Sequence, residues 1–165
     1  MWLGCTGCGI LRAGEGRAAW VVGDHYTVKA SGEDTGGAFA LIEVLVPPQS
    51  GPPPHIHRRE DEAFYVLEGE FEVHIDDQRL TAGPGTWVTL AKGSLHYFKN
   101  IGSTTAKMLI LATPAGLDRF FLEAGREATD TSPESGAVRP EDSEKLLAIA
   151  PKYGIEIKLP PSVGR

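Results

Sequence analysis

The sequence has two cysteines, no long hydrophobic run and no excess of basic residues. Its net charge of -6, with lysines and arginines scattered along the chain, argues against a nucleic-acid surface. The apolar runs stay far below the roughly 18 residues that a membrane span requires, and the first residues lack the pattern of a secretory signal. We therefore expect a soluble, cytoplasmic protein that binds neither nucleic acid nor a membrane.

Both cysteines, Cys5 and Cys8, lie in a glycine-rich segment at the N-terminus. A zinc site would need a second ligand pair at similar spacing, and a redox pair would need a strand before it and a helix after it. The sequence supplies neither context. We interpret residues 1–16 as a flexible leader that carries two free thiols.

The middle of the chain, residues 17–115, predicts many short strands separated by glycine and proline turns. The clearest alternation covers residues 70–75, where Phe71, Val73 and Ile75 face one side and His74 faces the other with two glutamates. Even spacing of such strands is typical of a β-sandwich or a barrel. Without an internal repeat, the pattern indicates a single, unduplicated domain.

A helical period replaces the strand pattern after Thr113. Leu117, Phe120 and Phe121 begin an apolar face with helical spacing, and Pro140 opens a second helix. A polar segment, residues 129–136, links the two. We therefore predict that residues 116–165 form a C-terminal helical extension packed on the β-domain.

Three histidines and an acid form the candidate site. His55 and His57 are two residues apart, so in a strand both side chains point to the same side. Glu62 follows on the next strand, and His96 arrives after a glycine-rich turn. If all four face the interior, they supply three imidazole nitrogens and a carboxylate, which suits a first-row transition metal with open coordination positions.

The remaining candidates, two acids beside Glu62 and two further histidines, are not expected to be ligands. Glu60 and Asp61 precede Glu62, and we expect both in a solvated loop. His25 lacks a neighbouring ligand at suitable spacing, so we expect a partly exposed strand residue. His74 is expected to point to solvent.

Two spaced motifs give the chain a resemblance to the cupin superfamily. The first runs from His55 through His57 and Glu62 to Gly69, and the second ends in His96, with its preceding glycines and the asparagine that follows at position 100. The resemblance covers roughly residues 37–113. The departures are a glycine at position 51 that stands closer to the first histidine than the pattern asks, and an alanine at position 91 in place of proline.

The resemblance implies a single jelly-roll β-barrel, often dimeric, with a metal at its centre. It implies that His55, His57, Glu62 and His96 ligate that metal, for which iron, manganese, nickel, copper, cobalt and zinc all qualify. A homodimer is expected on the same ground. The fold class is therefore all-β, with short C-terminal helices added.

The expected pocket is apolar and aromatic, because Phe64, Phe71 and Phe98 fall on the inward parity of their strands. Such a pocket around a positive ion suits a flat or enolisable organic substrate. Similarity to cupins of the quercetin 2,3-dioxygenase type then indicates a dioxygenase that uses O2, with Glu62 as ligand and general base.

Two alternatives stay open at this point. One is an isomerase or lyase in which the metal at the same site acts only as a Lewis acid, since a fold does not fix a reaction. The other is a cupin that binds a small ligand without turnover.

Overall fold

A computed structural model describes residues 9–159 of the chain, and Cys5 and Cys8 lie outside the described residues. The strands are β1 (Ala18–Val21), β2 (Asp24–Ala30), β3 (Ala40–Val46), β4 (His55–His57), β5 (Asp61–Glu68), β6 (Phe71–Ile75), β7 (Gln78–Ala82), β8 (Trp87–Leu90), β9 (Leu95–Asn100), β10 (Ala106–Thr113), β11 (Arg126–Glu127) and β12 (Ile155–Ile157). The helices are α1 (Leu117–Ala124) and α2 (Pro140–Ile149), followed by a 3-10 helix at Ala150–Tyr153.

The strands form two antiparallel sheets. Seven strands make the larger sheet in the order β11-β1-β2-β3-β10-β5-β8, and five make the smaller one in the order β12-β4-β9-β6-β7. Phe64 of the larger sheet packs edge-on against Phe98 of the smaller sheet, with ring centroids 5.4 Å apart, so the apolar faces of the sheets meet. The all-β jelly-roll prediction is confirmed, except that the two sheets stay separate and do not close into a barrel.

Alternating side chains on the facing strands make the core. Ile42 and Val44 of β3 and Met108 and Ile110 of β10 are buried between the layers, as the period-2 pattern of these strands requires. Burial of such side chains contributes about 25 cal/mol for each Å² of apolar surface removed from water. This two-layer core holds the ends of β4, β5 and β9 in fixed positions.

The C-terminal segment contributes more than helices. Strand β12 pairs with β4, so Ile155 lies opposite His57 and Ile157 opposite His55. The sequence pattern did not predict this strand, because three residues are too few to show a period. As a result β4 lies between β9 and β12 rather than at an edge of its sheet.

The two helices lie against the β-domain on their apolar faces. Leu117, Phe120 and Phe121 of α1 are buried as the helical period predicts, and Leu146 is the corresponding residue of α2. Tyr26 of β2 stacks on Phe121 at 4.1 Å between ring centroids. Within residues 9–159, no helix has the length and apolar character that crossing a membrane requires.

His25 is buried, so the expectation of a partly exposed strand residue was wrong. The segment after β11, expected as a free linker, packs on the outside of β1: a Cβ on Gly136 would lie 2.3 Å from the ring of Trp20. His25 meets that same Trp20 ring at 4.8 Å. A long-range contact therefore covers a strand face that local sequence leaves open. His74 is half-buried rather than fully solvent-facing, because its ring stacks on Tyr97 at 4.2 Å.

Candidate metal centre

Four side chains from three strands meet between the two sheets. His55 and His57 lie on β4, His96 lies on β9 directly opposite His55, and Glu62 lies on β5 of the other sheet. Each residue offers one ligand atom, and these atoms all lie within 4.8 Å of one another. The structure thus brings together the four residues that the sequence nominated as ligands.

The imidazole Nε2 atoms of two histidines point at one carboxylate oxygen. Glu62 Oε2 lies 2.9 Å from His96 Nε2 and 3.5 Å from His57 Nε2. The third ring, His55, packs against His96 with centroids 4.5 Å apart. The donors therefore surround one small volume and not four separate positions.

Backbone carbonyls fix the tautomers of two of the rings. His55 Nδ1 lies 2.9 Å from the carbonyl oxygen of Pro53, and His96 Nδ1 lies 3.1 Å from that of Ser94. A carbonyl can only accept a hydrogen bond, so Nδ1 carries the proton in both rings and Nε2 is the nitrogen that can ligate a metal. Since Nε2 of His96 lies 2.9 Å from the carboxylate of Glu62, a proton or a metal ion must lie between the two atoms.

Burial and neighbouring charges set the protonation of this cluster. Burial, helped by the nearby imidazoles of His96 and His57, lowers the pKa of His55 to about 3. Burial alone would raise the pKa of Glu62, but His57 and the hydrogen bond from His96 lower it below its usual range. At neutral pH His55 is therefore neutral and Glu62 ionised, which are the forms that ligate metals.

The pKa of His57 moves in the opposite direction to that of His55. Burial would lower it, but the carboxylates of Glu62 and Glu60 raise it above the ordinary value. The carboxylates beside this ring therefore favour a positive charge at the cluster. A divalent ion supplies one, so the buried residues fit a metal.

A narrow apolar cavity opens beside the cluster. Its volume is about 40 Å³, which is room for a few water molecules. We call the four converging residues His55, His57, Glu62 and His96 the metal cluster. Besides His55, His57 and Glu62 of this cluster, the walls of the cavity are Val21, Val22, Tyr26, Pro52, Pro53, Phe64, Phe98, Ile110, Phe120, Phe121, Leu146, Ile155 and Ile157. Three segments from the C-terminal part of the chain, α1, α2 and β12, therefore help to cover the site.

Two of the three predicted aromatic residues line this cavity. Phe64 and Phe98 are among its walls, as their parity indicated. Phe71 is not among the walls of this cavity, and its assignment to the substrate pocket stays a prediction. It lies at the far end of β6, opposite Ala82, where its ring packs edge-on against Phe98 at 5.8 Å. Parity placed Phe71 on the correct face of the sheet, but its distance along the strand puts it one layer behind the site.

Of the two acids before Glu62, one differs from expectation. Asp61 is exposed, as expected, but it is the first residue of β5 rather than part of a loop, and it accepts a hydrogen bond from the backbone N–H of Lys92. Glu60 is only 4% exposed and its Oε2 lies 3.7 Å from His57 Nδ1. The expectation of a solvated loop residue was therefore wrong, because the turn before β5 folds its side chain inward under α1.

Sequence reasoning missed the residues that helices and distant strands bring to the cavity. Tyr26 is a clear case, since within the described chain it has the one hydroxyl among the cavity walls. Burial, with added repulsion from Asp24 and Glu62, raises its pKa well above the ordinary value, so it is a hydrogen-bond donor at neutral pH. The apolar face of α1 was visible in the sequence, but its target was not.

Comparison with known sequences places the β-domain in a described family. Residues 42–112 match the family described as the cupin domain. The chain is 25% identical over 116 residues to quercetin 2,3-dioxygenase from Bacillus subtilis (strain 168), which covers 70% of this chain and 34% of that protein. Against three curated relatives, the matched region covers 34%, 49% and 60% of their lengths, less than two thirds in each case.

Solved structures share the fold. KdgF from Halomonas sp. superimposes with a TM-score of 0.60 at 18% identity, covering 68% of this chain and 98% of that chain. An oxalate oxidase superimposes with a TM-score of 0.51 at 25% identity, covering 58% of this chain and 54% of that chain. The fold is therefore shared with known structures.

Proposed function

We propose that this chain, whose residues 42–112 match the cupin domain family, is a metal-dependent oxidoreductase of the dioxygenase type. Its proposed substrate is a small flavonol-like or enolisable organic molecule. The observation that carries the proposal is the convergence of three imidazoles and one carboxylate on a single point beside a buried apolar cavity. A quercetin 2,3-dioxygenase among the relatives and an oxalate oxidase among the structural neighbours support oxygen chemistry.

The ligand set consists of His55, His57, Glu62 and His96. Three nitrogen donors and one carboxylate suit iron, manganese, nickel, copper, cobalt and zinc alike. When bound, a redox-active ion of this group would polarise a substrate oxygen and support electron transfer to O2. Whether the bound metal ion is redox-active thus separates oxygen chemistry from Lewis-acid chemistry at this site.

Glu62 has a second role in the proposal, as the general base. Its carboxylate is ionised at neutral pH and is buried at the end of the cavity, where a substrate hydroxyl arrives. A base at this position takes the hydroxyl proton as the substrate binds, and the apolar walls exclude water that would compete for it.

The charge of the cavity walls selects the substrate class. Within residues 9–159, the walls include neither lysine nor arginine, so nothing besides the metal compensates a fixed negative charge on a substrate. A neutral molecule that becomes an enolate only at the metal meets this condition. Because the free space is small, an organic substrate enters when α1, α2 or β12 shifts, whereas O2 fits as the cavity stands.

The proposal is tested by metal content and oxygen consumption together. Protein purified without chelator is expected to contain close to one transition-metal ion for each chain, measured by elemental analysis. Oxygen uptake is then followed with flavonols and 1,3-diketones as substrates. A stoichiometric redox metal with substrate-dependent uptake supports the proposal, and absence of metal from active protein would overturn the site itself.

An anaerobic assay separates the alternative reactions. Product formation from the same substrates without O2 would replace the dioxygenase proposal by an isomerase or lyase. Binding without turnover in either atmosphere would replace it by a ligand-binding role. Glu62→Gln is the matched variant: it is expected to lower turnover about 100-fold or more through loss of the base, while Asp61→Asn, on an exposed neighbouring acid, leaves it unchanged.

A further inference from the structure

We propose that Glu60 is a positioning residue that orients the imidazole of His57 toward the metal centre. The inference rests on the proposed metal site and adds a residue that ligates nothing itself. Glu60 lies in the turn between β4 and β5 and is only 4% exposed. A buried carboxylate without a partner is costly, so its position calls for a specific role.

The three histidines of the cluster are held in different ways. His55 and His96 each donate Nδ1–H to a carbonyl oxygen, of Pro53 and Ser94 respectively. His57 has no such carbonyl: within the described residues its Nδ1 lacks a hydrogen-bond partner. The group that faces this nitrogen is Glu60 Oε2, 3.7 Å away, which is likewise without a partner in the part of the chain that is described.

The two nitrogen atoms of the His57 ring therefore face two different carboxylates. Nε2 lies 3.5 Å from Glu62 Oε2 on the metal side, and Nδ1 faces Glu60 on the other side. A histidine that ligates through Nε2 carries its proton on Nδ1, and that N–H needs an acceptor. The separation of 3.7 Å exceeds a hydrogen bond by about 0.5 to 1 Å. A small rotation of either side chain would bring the two atoms within hydrogen-bond distance.

The start of α1 keeps the Glu60 side chain in place. A Cβ on Gly116, the residue before the helix, would lie 3.0 Å from Glu60 Oε1, so the glycine leaves the space that the carboxylate occupies. The positive end of a helix also favours a carboxylate nearby. Glu60 thus connects the covering helix to a proposed metal ligand.

The test is Co²⁺ binding by wild type, Glu60→Ala, Glu60→Gln and Asp61→Ala, measured by chelator competition. Loss of a hydrogen-bond acceptor behind a ligating histidine typically costs 10- to 100-fold in metal affinity. We expect that loss for Glu60→Ala, a smaller loss for Glu60→Gln because its amide oxygen still accepts, and affinity within about 2-fold of wild type for the Asp61→Ala control. The Co²⁺ visible absorption bands are expected to shift in Glu60→Ala, because the ligand field at His57 changes.

A purely structural role gives different results. Since Oε2 of Glu60 makes no hydrogen bond within residues 9–159, Glu60→Ala is expected to leave the thermal stability of the metal-free protein unchanged or raised. Lowered metal-free stability with wild-type Co²⁺ affinity and absorption bands would overturn the inference, as would an equal affinity loss in Asp61→Ala. Wild type that binds no Co²⁺ would overturn the metal site as well, so the two failures are distinguishable.

Discussion

Two groups of buried polar side chains lie in this small domain, and they are built differently. In the metal cluster, the donors of His55, His57, Glu62 and His96 point at one shared volume beside a cavity. In the second group, at the start of β2, Asp24 is fully buried, and its Oδ1 accepts a 2.5 Å hydrogen bond from Ser50 Oγ. Burial alone therefore does not identify a functional site, whereas convergence of donors does.

The buried acids of the two groups also differ in protonation. Burial raises the pKa of Asp24 to about 7, and the hydrogen bond from Ser50 only partly opposes it. Glu62 is as deeply buried, yet its pKa falls because the imidazoles of His57 and His96 lie beside it. Equal desolvation with different neighbours gives opposite shifts, so the neighbours decide which acid stays ionised.

The largest expected effect follows from removing a donor of the metal cluster. His96→Ala is expected to lower the affinity for Co²⁺ or Zn²⁺ by more than about 100-fold. This loss is larger than the one expected when only the hydrogen-bond partner of a ligating histidine is removed. Chelator competition measures it. Asp24→Ala is the matched control, because it removes a buried carboxylate from the other group. Equal affinity losses in the two variants would contradict the distinction between the groups.

The next largest effect concerns Asp24 and pH. Because its folded-state pKa is raised from 3.8 to about 7, its stabilising contribution is complete below pH 3.8 and is lost as pH rises through 7. At 1.36 kcal/mol for each pKa unit, wild type should lose on the order of 2 to 3 kcal/mol between pH 5 and pH 8 relative to Asp24→Asn.

Urea unfolding at the two pH values, with chelator present, measures this difference. Subtracting Asp24→Asn from wild type cancels the contributions of the other ionisable groups, because both proteins contain them. Asp77→Asn, on an exposed turn acid, is expected to follow wild type at both pH values. A wild-type curve parallel to that of Asp24→Asn would show that Asp24 is ionised in the folded protein at pH 5.

The smallest expected effect tests the cavity beside the metal cluster. Tyr26→Phe removes the hydroxyl that the cavity walls present to a substrate. One neutral hydrogen bond is worth about 0.5 to 1.5 kcal/mol, so turnover should fall about 3- to 10-fold with metal affinity unchanged. Tyr97→Phe, whose ring stacks on His74 away from the cavity, is the control. Unchanged turnover in Tyr26→Phe would exclude a contact of this hydroxyl with the substrate.

Much of the metal cluster was predictable because its rules are local. Because His55 and His57 are two residues apart on one strand, their side chains lie on the same side. The alternation along the next strand puts Glu62 and Asp61 on opposite faces. Most of the longer strands followed from patterns that are complete within five to eight residues, whereas β12 did not. The homodimer, the cytoplasmic location and the identity of the metal stay predictions.

The errors share a physical cause, which is contact between segments far apart in the chain. Glu60 is buried because α1 begins beside it, and His25 is buried because the segment before α2 covers Trp20. Phe71 is a different case: it has the predicted parity, but it lies at the opposite end of β6 from Ile75, which pairs with His96. Parity states which face a side chain takes, and it carries no information about depth or about what covers that face.

The sequence by itself determined the all-β fold, the residues that converge between the sheets and the donor types they offer. These depend on strand period, turn residues and side-chain chemistry, which are properties of short segments. Only the tertiary structure decided that the cavity is closed by α1, α2 and β12, that Tyr26 faces it, and that Glu60 lies behind His57. Those facts depend on how the C-terminal segment packs across the two sheets, and packing between distant segments leaves no periodic signal in either one.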